Sequence, residues 1–355
     1  MRIGIIVNDV FEERFGYTTT QLAMVAVRHD HEVWYIDVGD MALRPDDHVH
    51  AHAVRVPQRS HRKRRPFLEE VWETARNHRE EIALRDLDVL LPRNDPSLDV
   101  FTRPWARTAA IDFGRLAVRD GVIVLNDPDG LALGLNKLYL EYFPEDVRPR
   151  TLVTRDKSEI KDFIADQGGY AVLKPLAGSG GRNVFLVRPH DTPNVNQMIE
   201  AVSRDGYCIA QEYLPDAIHG DTRLFLLNGR PFVVKGHHAA IHRQRRTGDA
   251  DIRSNLTAGG IARPAQVSDA MLALAEKMRP RLERDGIFFA GLDIVGDRVM
   301  EVNVQSPGGL IGAEDFEGIN FSAAILEAIE RKIAWRKAHP QTPNRELATL
   351  EAAPD

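Results

Sequence analysis

The sequence predicts a mixed α/β protein, with a parallel α/β unit at the N-terminus followed by two units built from hairpins and helices. Three observations carry this reading. Over residues 1–125, strand-like apolar runs alternate with segments of helical period, the pattern of a mostly parallel sheet. Beyond residue 126, strand-like runs come in pairs around short Gly-containing turns, at 177–183, at Asn228-Gly229 and at Gly296-Asp297-Arg298, the pattern of hairpins. The 355 residues are 43% hydrophobic and 28% charged, a globular composition long enough for two or three modest domains.

The same composition removes several classes of function. A formal net charge of -6 argues against a dedicated nucleic-acid binder. No apolar run approaches the length needed to cross a bilayer, and MRIGIIVNDV has no separate signal-peptide regions, so it reads as a first strand and the protein as cytoplasmic. Cys208 is the single cysteine, which excludes an intrachain disulfide and suits a reducing cytosol. It lies in the apolar run YCIAQEYL with no His beside it, and reads as a buried small hydrophobe.

Taken in order, Arg2–Val7 is a buried strand, Thr18–Arg28 a helix, and His31–Ile36, Leu87–Leu91 and Gly121–Leu125 three further strands of the unit 1–125. Between them, Arg55–Arg65 (RVPQRSHRKRR) is the most basic segment. It lacks interleaved aromatics, so it reads as a solvated connection and not as an RNA grip. The histidines from His48 to His61 have no regular metal spacing. A second unit, residues 126–205, opens with a turn at Asn126-Asp127-Pro128 and a helical run with Lys137 on a helix over 135–143. Strand 151–155, helix 158–167 and a hairpin of Tyr170–Pro175 with Val184–Arg188 follow. The third unit, residues 206–337, starts with strand Tyr207–Tyr213. A hairpin about Asn228-Gly229 comes next, then a long polar connection from His237 to Gly260 and a helix over Ser268–Asp285. The hairpin Gly291–Pro307 and a helix Phe321–Arg336 complete it, and residues 338–355 read as a frayed tail.

The hairpin carries the clearest chemistry. With Gly296-Asp297-Arg298 as a three-residue loop, Val295 faces Val299 and Asp293 faces Glu301, and Asn303 shares their side. Leu292, Ile294, Met300, Val302 and Val304 then form an apolar opposite face. Hard oxygen ligands of this kind suit Mg²⁺, above all when phosphates supply the remaining oxygens. An ordinary surface hairpin would show the same alternation. Lys174, before Pro175 in an apolar strand, needs a partner, and phosphate is a suitable one; a snorkelling lysine is the alternative, and Lys137 has the same two readings. The loop AGSGGRN at 177–183 is no Walker A motif, yet its backbone amides could close over phosphates. Gln211–Leu214 followed by Asp221 and Arg223 could present backbone groups to an adenine edge, a carboxylate to ribose and a guanidinium fork to phosphate.

In this order, the strand lysine, glycine hairpin, Q-E-x-L, D-x-R, R-S-N and D-x₇-E-x-N resemble the ATP-grasp superfamily, and within it the bacterial glutathione synthetase family. The similarity runs through NDPDGLALGLNKLYLEYF, VLKPLAGSGGRNVF, AQEYLPDAIHGDTR, NLTAGG and FAGLDIVGDRVMEVNVQSP, with RIGIIVND and LPRNDPSLD resembling the family's first domain. The resemblance implies an ATP-grasp fold: an N-terminal α/β domain, then a central subdomain and a C-terminal subdomain clamping ATP. It implies that Lys137 and Lys174 contact the ATP phosphates under a cover of Gly178, Ser179, Gly180 and Gly181. Gln211, Glu212, Tyr213 and Leu214 would hold adenine, Asp221 would lie near the sugar, and Arg223 near the reacting phosphate. Asp293, Glu301 and Asn303 would hold two Mg²⁺ ions, with Mn²⁺ as the alternative, and Arg253 and Asn255 would meet the acyl phosphate or substrate.

The implied reaction activates the carboxylate of γ-glutamylcysteine as an acyl phosphate and couples it to glycine, with 237–260 as a lid that excludes water. The implied enzyme is a homo-oligomer without nucleic-acid or membrane partners. The sequence departs from the family at Gln305–Gly309 and in the lid, IHRQRRTGDADIRSN, so a related carboxylate–amine ligase is the nearest competing reading. A catalytically silent nucleotide binder and an RNA-binding protein are the readings from other classes.

Overall fold

The computed structural model describes residues 1–178, 182–204, 206–244 and 260–351. Its first sheet has the order β4-β3-β2-β1-β5-β6, with β1 (Arg2–Val7), β2 (Glu32–Leu43), β3 (Val49–Arg55), β4 (Glu80–Ala83), β5 (Val89–Pro92) and β6 (Ile123–Val124). β2, β1, β5 and β6 run parallel. Both faces of β1 are covered, which is why RIGIIV reads as a continuous apolar run and not as an alternation. Helices α1 (Thr18–Arg28) and α2 (Arg64–Asn77) share a core with Ile3, Ile5 and Val7, while α3 (Ala106–Arg119) packs against Ile6, Trp34 and Ile36 on the other side.

Two features here depart from the sequence reading. The second strand runs on past Ile36 to Leu43 and returns as β3, with β4 antiparallel beside it. VHAHAVR alternates histidine with small alanines, so its buried side shows little of the bulk that marks a strand. The basic stretch is a largely exposed connection over 56–63, as read, but its ends are not: Arg55 ends β3, and Arg64 and Arg65 open α2.

The second sheet is antiparallel, β7-β10-β8-β9, from β7 (Thr151–Thr154), β8 (Ala171–Pro175), β9 (Phe185–Val187) and β10 (Cys208–Gln211). It is preceded by α4 (Pro128–Leu133) and by a 3₁₀ turn over Lys137–Tyr142, where a longer helix was expected. Asn136 starts that turn, its side chain accepting from Leu138 N at 3.0 Å. Helices α5 (Lys157–Asp166) and α6 (Val195–Ser203) cover one face, burying Leu173, Cys208 and Ala210. Cys208 is fully buried, and burial pushes its thiol up to about 12, so it is inert at neutral pH. The opposite face, with Val153, Lys174, Ile209 and Gln211, lines a cleft.

The third sheet runs β16-β15-β11-β17-β18, with β12 also paired to β11. Its members are β11 (Asp221–Leu227), β12 (Arg230–Pro231), β15 (Ala240–Gln244), β16 (Ile261–Pro264), β17 (Phe289–Val295) and β18 (Arg298–Asn303), and β13 (Val233–Val234) and β14 (His237–His238) pair separately. The polar connection expected from His237 therefore contains a strand, β15, whose Ile241 is fully buried. The expected lid narrows to 245–259, which lie outside the described residues. Helix α7 (Asp269–Arg284), capped by Ser268, fills one face through Leu274, Met278 and Leu282.

In the β17–β18 hairpin, Asp293 does face Glu301 and Asn303 faces Gly291, but the turn is shorter than the sequence reading had it. Val295 pairs with Arg298 across a two-residue turn whose first position, Gly296, has φ +57. A bulge between Asp293 and Ile294 on one strand and Val299 and Glu301 on the other absorbs Met300. Met300 consequently leaves the apolar face and lines the cleft, Val299 turns inward to take its place, and Leu292, Ile294 and Val304 stay in the core.

The chain closes with α8 (Leu310–Glu317), α9 (Phe321–Ala338) and α10 (Asn344–Thr349). The frayed tail is corrected by α10. Asn344 Nδ2 donates to Val124 O and Asp127 Oδ2 at 2.9 and 2.8 Å, and the buried Lys332 Nζ donates to Leu347 O and Leu350 O at 3.1 and 2.8 Å. Proline and charge made this segment look solvated; its buried contacts are all long-range.

Candidate active site

A cleft of about 910 Å³, including its open mouth, lies between the bare face of the second sheet and the β17–β18 hairpin. The second sheet contributes lysine through strand geometry. Lys174 pairs with Ile209, which pairs with Val153, so the three side chains share the cleft face. Lys174 Nζ donates to Gln211 Oε1 at 2.9 Å, and Gln211 Nε2 donates to Thr151 Oγ1 at 3.1 Å. Burial pushes the Lys174 ammonium down to about 8, with Glu301 pulling the other way. Lys137, at the start of the 3₁₀ turn, donates to Gly178 O and lies 3.9 Å from Glu301 Oε1. Two cations and one carboxylate therefore converge without a tight ion pair among them, an arrangement suited to anionic phosphate and a cation.

Behind this end lies a buried four-charge network. Arg223 grips Asp293 with both prongs, Nε to Oδ1 at 2.7 Å and Nη2 to Oδ2 at 2.8 Å, and its Nη1 reaches Gly308 O at 3.1 Å. Arg243 on β15 bridges Asp221 Oδ1 and Asp293 Oδ2 at 2.5 and 2.7 Å. Burial alone would raise the Asp293 carboxyl, but Arg223 and Arg243 hold it well below the usual carboxylate range. Asn303 Nδ2 adds a bond to Asp293 Oδ2 at 3.2 Å.

Asp221, which the resemblance puts near the nucleotide sugar, is thus buried and locked to Arg243. Glu212 turns back to accept from Arg150 N at 3.1 Å, while Tyr213 stacks on Tyr170 with ring centroids 6.2 Å apart. Leu214 begins the 3₁₀ turn 215–219. Ser179, Gly180, Gly181, Arg253 and Asn255 lie outside the described residues; Gly178 lines the cleft at φ +120. Among the described residues no group of three or more His, Cys, Asp or Glu forms a metal cluster.

Sequence reasoning missed Arg243, which is legible only once β11 and β17 are known to flank it. It also misses Arg93 within LPRNDPSLD, because nothing local shows that its guanidinium reaches Pro307 O, 3.2 Å away. Gln305 Nε2 donates to Leu131 O at 2.8 Å, so the departing segment is anchored to α4.

The family model for the prokaryotic glutathione synthetase ATP-grasp domain matches residues 136–318, and that for the prokaryotic glutathione synthetase N-terminal domain matches residues 1–132. The chain belongs to the prokaryotic glutathione synthetase family. It is 31% identical over 338 residues to the glutathione synthetase of Salmonella typhimurium, covering 94% of this chain and 99% of the relative. To that of Vibrio cholerae it is 36% identical over 254 residues, 71% of this chain and 75% of the relative. D-cycloserine synthetase DcsG shares the fold at TM-score 0.62 and 15% identity, covering 93% of this chain and 100% of that one. The ATP-grasp ligase PsnB, solved with precursor peptide PsnA2 and AMPPNP, does so at TM-score 0.55 and 15% identity, covering 94% and 98%. The chain is an ATP-dependent ligase of ATP-grasp fold that acts on small molecules and uses a divalent metal.

Proposed function

We propose that this synthetase-family ligase joins γ-glutamylcysteine to glycine, with ATP as energy source and Mg²⁺ as metal. The observation that supports the phosphate end is the convergence of Lys137, Lys174 and Glu301 in one cleft, with Lys137 Nζ 3.9 Å from Glu301 Oε1. The donor carboxylate attacks the γ-phosphorus, forming a C–O–P bond as the bond to ADP breaks. The glycine amine then attacks the acyl carbon, loses a proton and expels inorganic phosphate.

Little covalent chemistry falls to the protein; its residues position and neutralise. Lys137 and Lys174 take the phosphate oxygens, and Lys174 exchanges its Gln211 partner for phosphate. Arg223, clamped by Asp293, offsets charge at the transferring phosphoryl group. Glu212 to Leu214 run beside the adenine, over the apolar floor of Val153 and Ile209. Gly178 to Gly181 cover the phosphates, and Arg253 and Asn255 meet the acyl phosphate.

The residues of the hairpin fit hard-cation binding. Glu301 and Asn303 line the cleft with side-chain oxygens, and among the described residues Asp293 Oδ1 accepts from Arg223 alone. Mg²⁺ held by these residues would neutralise phosphate charge and supply Lewis-acid assistance to the phosphoryl transfer. The test is ADP release by the purified protein with ATP, γ-glutamylcysteine and glycine; stimulation by another amine but not by glycine would favour the related ligase. The reducing setting suited to one buried cysteine supports a cytoplasmic enzyme, and light scattering of the purified protein tests the proposed homo-oligomer.

A further inference from the structure

The N-terminal sheet ends in two buried charges that phosphate chemistry does not use. From β1 the chain passes through α1 to β2, and from β5 through α3 to β6, on opposite faces of the sheet. The crevice beyond the C-terminal ends of β1 and β5 is therefore the switch point at which open α/β sheets bind ligands. Helix α1 starts there with no side chain capping it, so its first-turn amides lack a side-chain acceptor. In that turn Thr18 is 1% exposed, and its Oγ1 has no hydrogen-bond partner among the described residues.

Arg93, the first residue past β5, brings its guanidinium to the same turn. Its Nε lies 3.4 Å from Thr19 Oγ1, and its Nη2 donates to Pro307 O at 3.2 Å, on the loop that leaves β18. Arg93 is 8% exposed, and none of the described carboxylates forms an ion pair with it. Glu13, 7% exposed, sits at the same helix end, its Oε2 accepting from Thr20 Oγ1 at 3.2 Å. Burial pushes the arginine down to about 10 and the glutamic acid up to about 7, with the charge of each opposing the shift of the other.

A buried cation and acid held apart at a helix N-terminus match the two ends of an α-amino acid. We propose that they are the specificity-determining residues for the donor: Arg93, with Thr18 and the α1 amides, receives its free α-carboxylate, and Glu13 its α-ammonium. This rests on the donor reading above and deepens it, since γ-glutamylcysteine presents such a head group at the end remote from the reacting carboxylate. The Pro307 contact links the head-group site to the loop beside the hairpin.

The full chain is assayed with MgATP, glycine and three donors: γ-glutamylcysteine, 4-aminobutanoyl-cysteine without the α-carboxylate, and glutaryl-cysteine without the α-amine. In the wild type, each deletion should raise KM about 10- to 100-fold, the worth of one charge-assisted hydrogen-bond set, with kcat little changed. In Arg93→Met the carboxylate deletion should cost less than about threefold further, and in Glu13→Gln the amine deletion likewise. Equal penalties in variant and wild type would overturn the assignment and leave Arg93 as a structural tie to Pro307. Should a variant fail to fold by circular dichroism, the wild type decides alone: equal KM for all three donors overturns the assignment. A wild type inactive on γ-glutamylcysteine itself would instead overturn the substrate reading, and the assignment with it.

Discussion

Asp293 is the residue on which most depends, because it neutralises two buried arginines at once. Removing it as Asp293→Ala leaves Arg223 without a carboxylate, and breaking a buried pair in this way costs about 3–5 kcal/mol. Urea denaturation of the variant should show that loss; a change below about 1 kcal/mol would mean that water enters the network freely. The sign of its pH dependence follows from its depressed carboxyl. The stabilisation is fully present above the ordinary value of 3.8 and is lost as the pH falls below it. Lys174 titrates in the opposite sense for binding. With its ammonium pushed down to about 8, it loses charge above that pH, so nucleotide affinity should fall there and binding should take up a proton. Calorimetry of ADP binding at pH 8.5 in buffers of different ionisation enthalpy measures the uptake, and Lys174→Met should abolish it. Uptake unchanged in that variant would assign the proton elsewhere.

At the scale of elements, the loop between β18 and α8 separates two neighbouring glycines. Gly309 has φ +100, and a Cβ there would come 2.7 Å from Ile241 Cδ1, whereas a Cβ on Gly308 meets nothing within 4 Å. Gly309→Ala should therefore destabilise by about 1–3 kcal/mol and raise the donor KM by shifting the Pro307 and Gly308 carbonyls. Gly308→Ala should be close to neutral in thermal melts; equal effects would remove the steric argument. The hairpin before this loop shows what can be read from a sequence. The pairing of Asp293 with Glu301 follows from keeping Leu292 and Ile294 in the core, so the alternation of apolar residues reveals it. The two-residue turn and the Met300 bulge do not, because both solutions preserve that pairing and differ only in where one extra residue goes. Strands β3 and β4 escaped for want of bulky side chains, and Arg243 because its partners lie on strands distant in sequence. Lys174 and the acidic hairpin stand out because each puts charge into an apolar run, whereas Lys137 is picked out only by the family resemblance.

The whole molecule is closed by its last helix, which ties β6 to the segment leading into α4 through Asn344 and covers Lys332. A chain ending at residue 340 should melt several degrees lower than the full chain, since it strips partners from buried backbone and ammonium groups; an unchanged melting temperature would show the helix to be ornamental. With the first sheet held against the other two, a donor bound at the end of β1 and β5 can face the phosphate end of the cleft, where Asp95 and Ser97 already form part of the wall. The central claim is that ATP activates the donor carboxylate as an acyl phosphate before the amine attacks. The decisive measurement uses γ-glutamylcysteine labelled with ¹⁸O in the reacting carboxylate, with ATP and glycine, and reads the phosphate by mass spectrometry. Transfer of one ¹⁸O into each inorganic phosphate released is the predicted result. Peptide formation with unlabelled phosphate would contradict it.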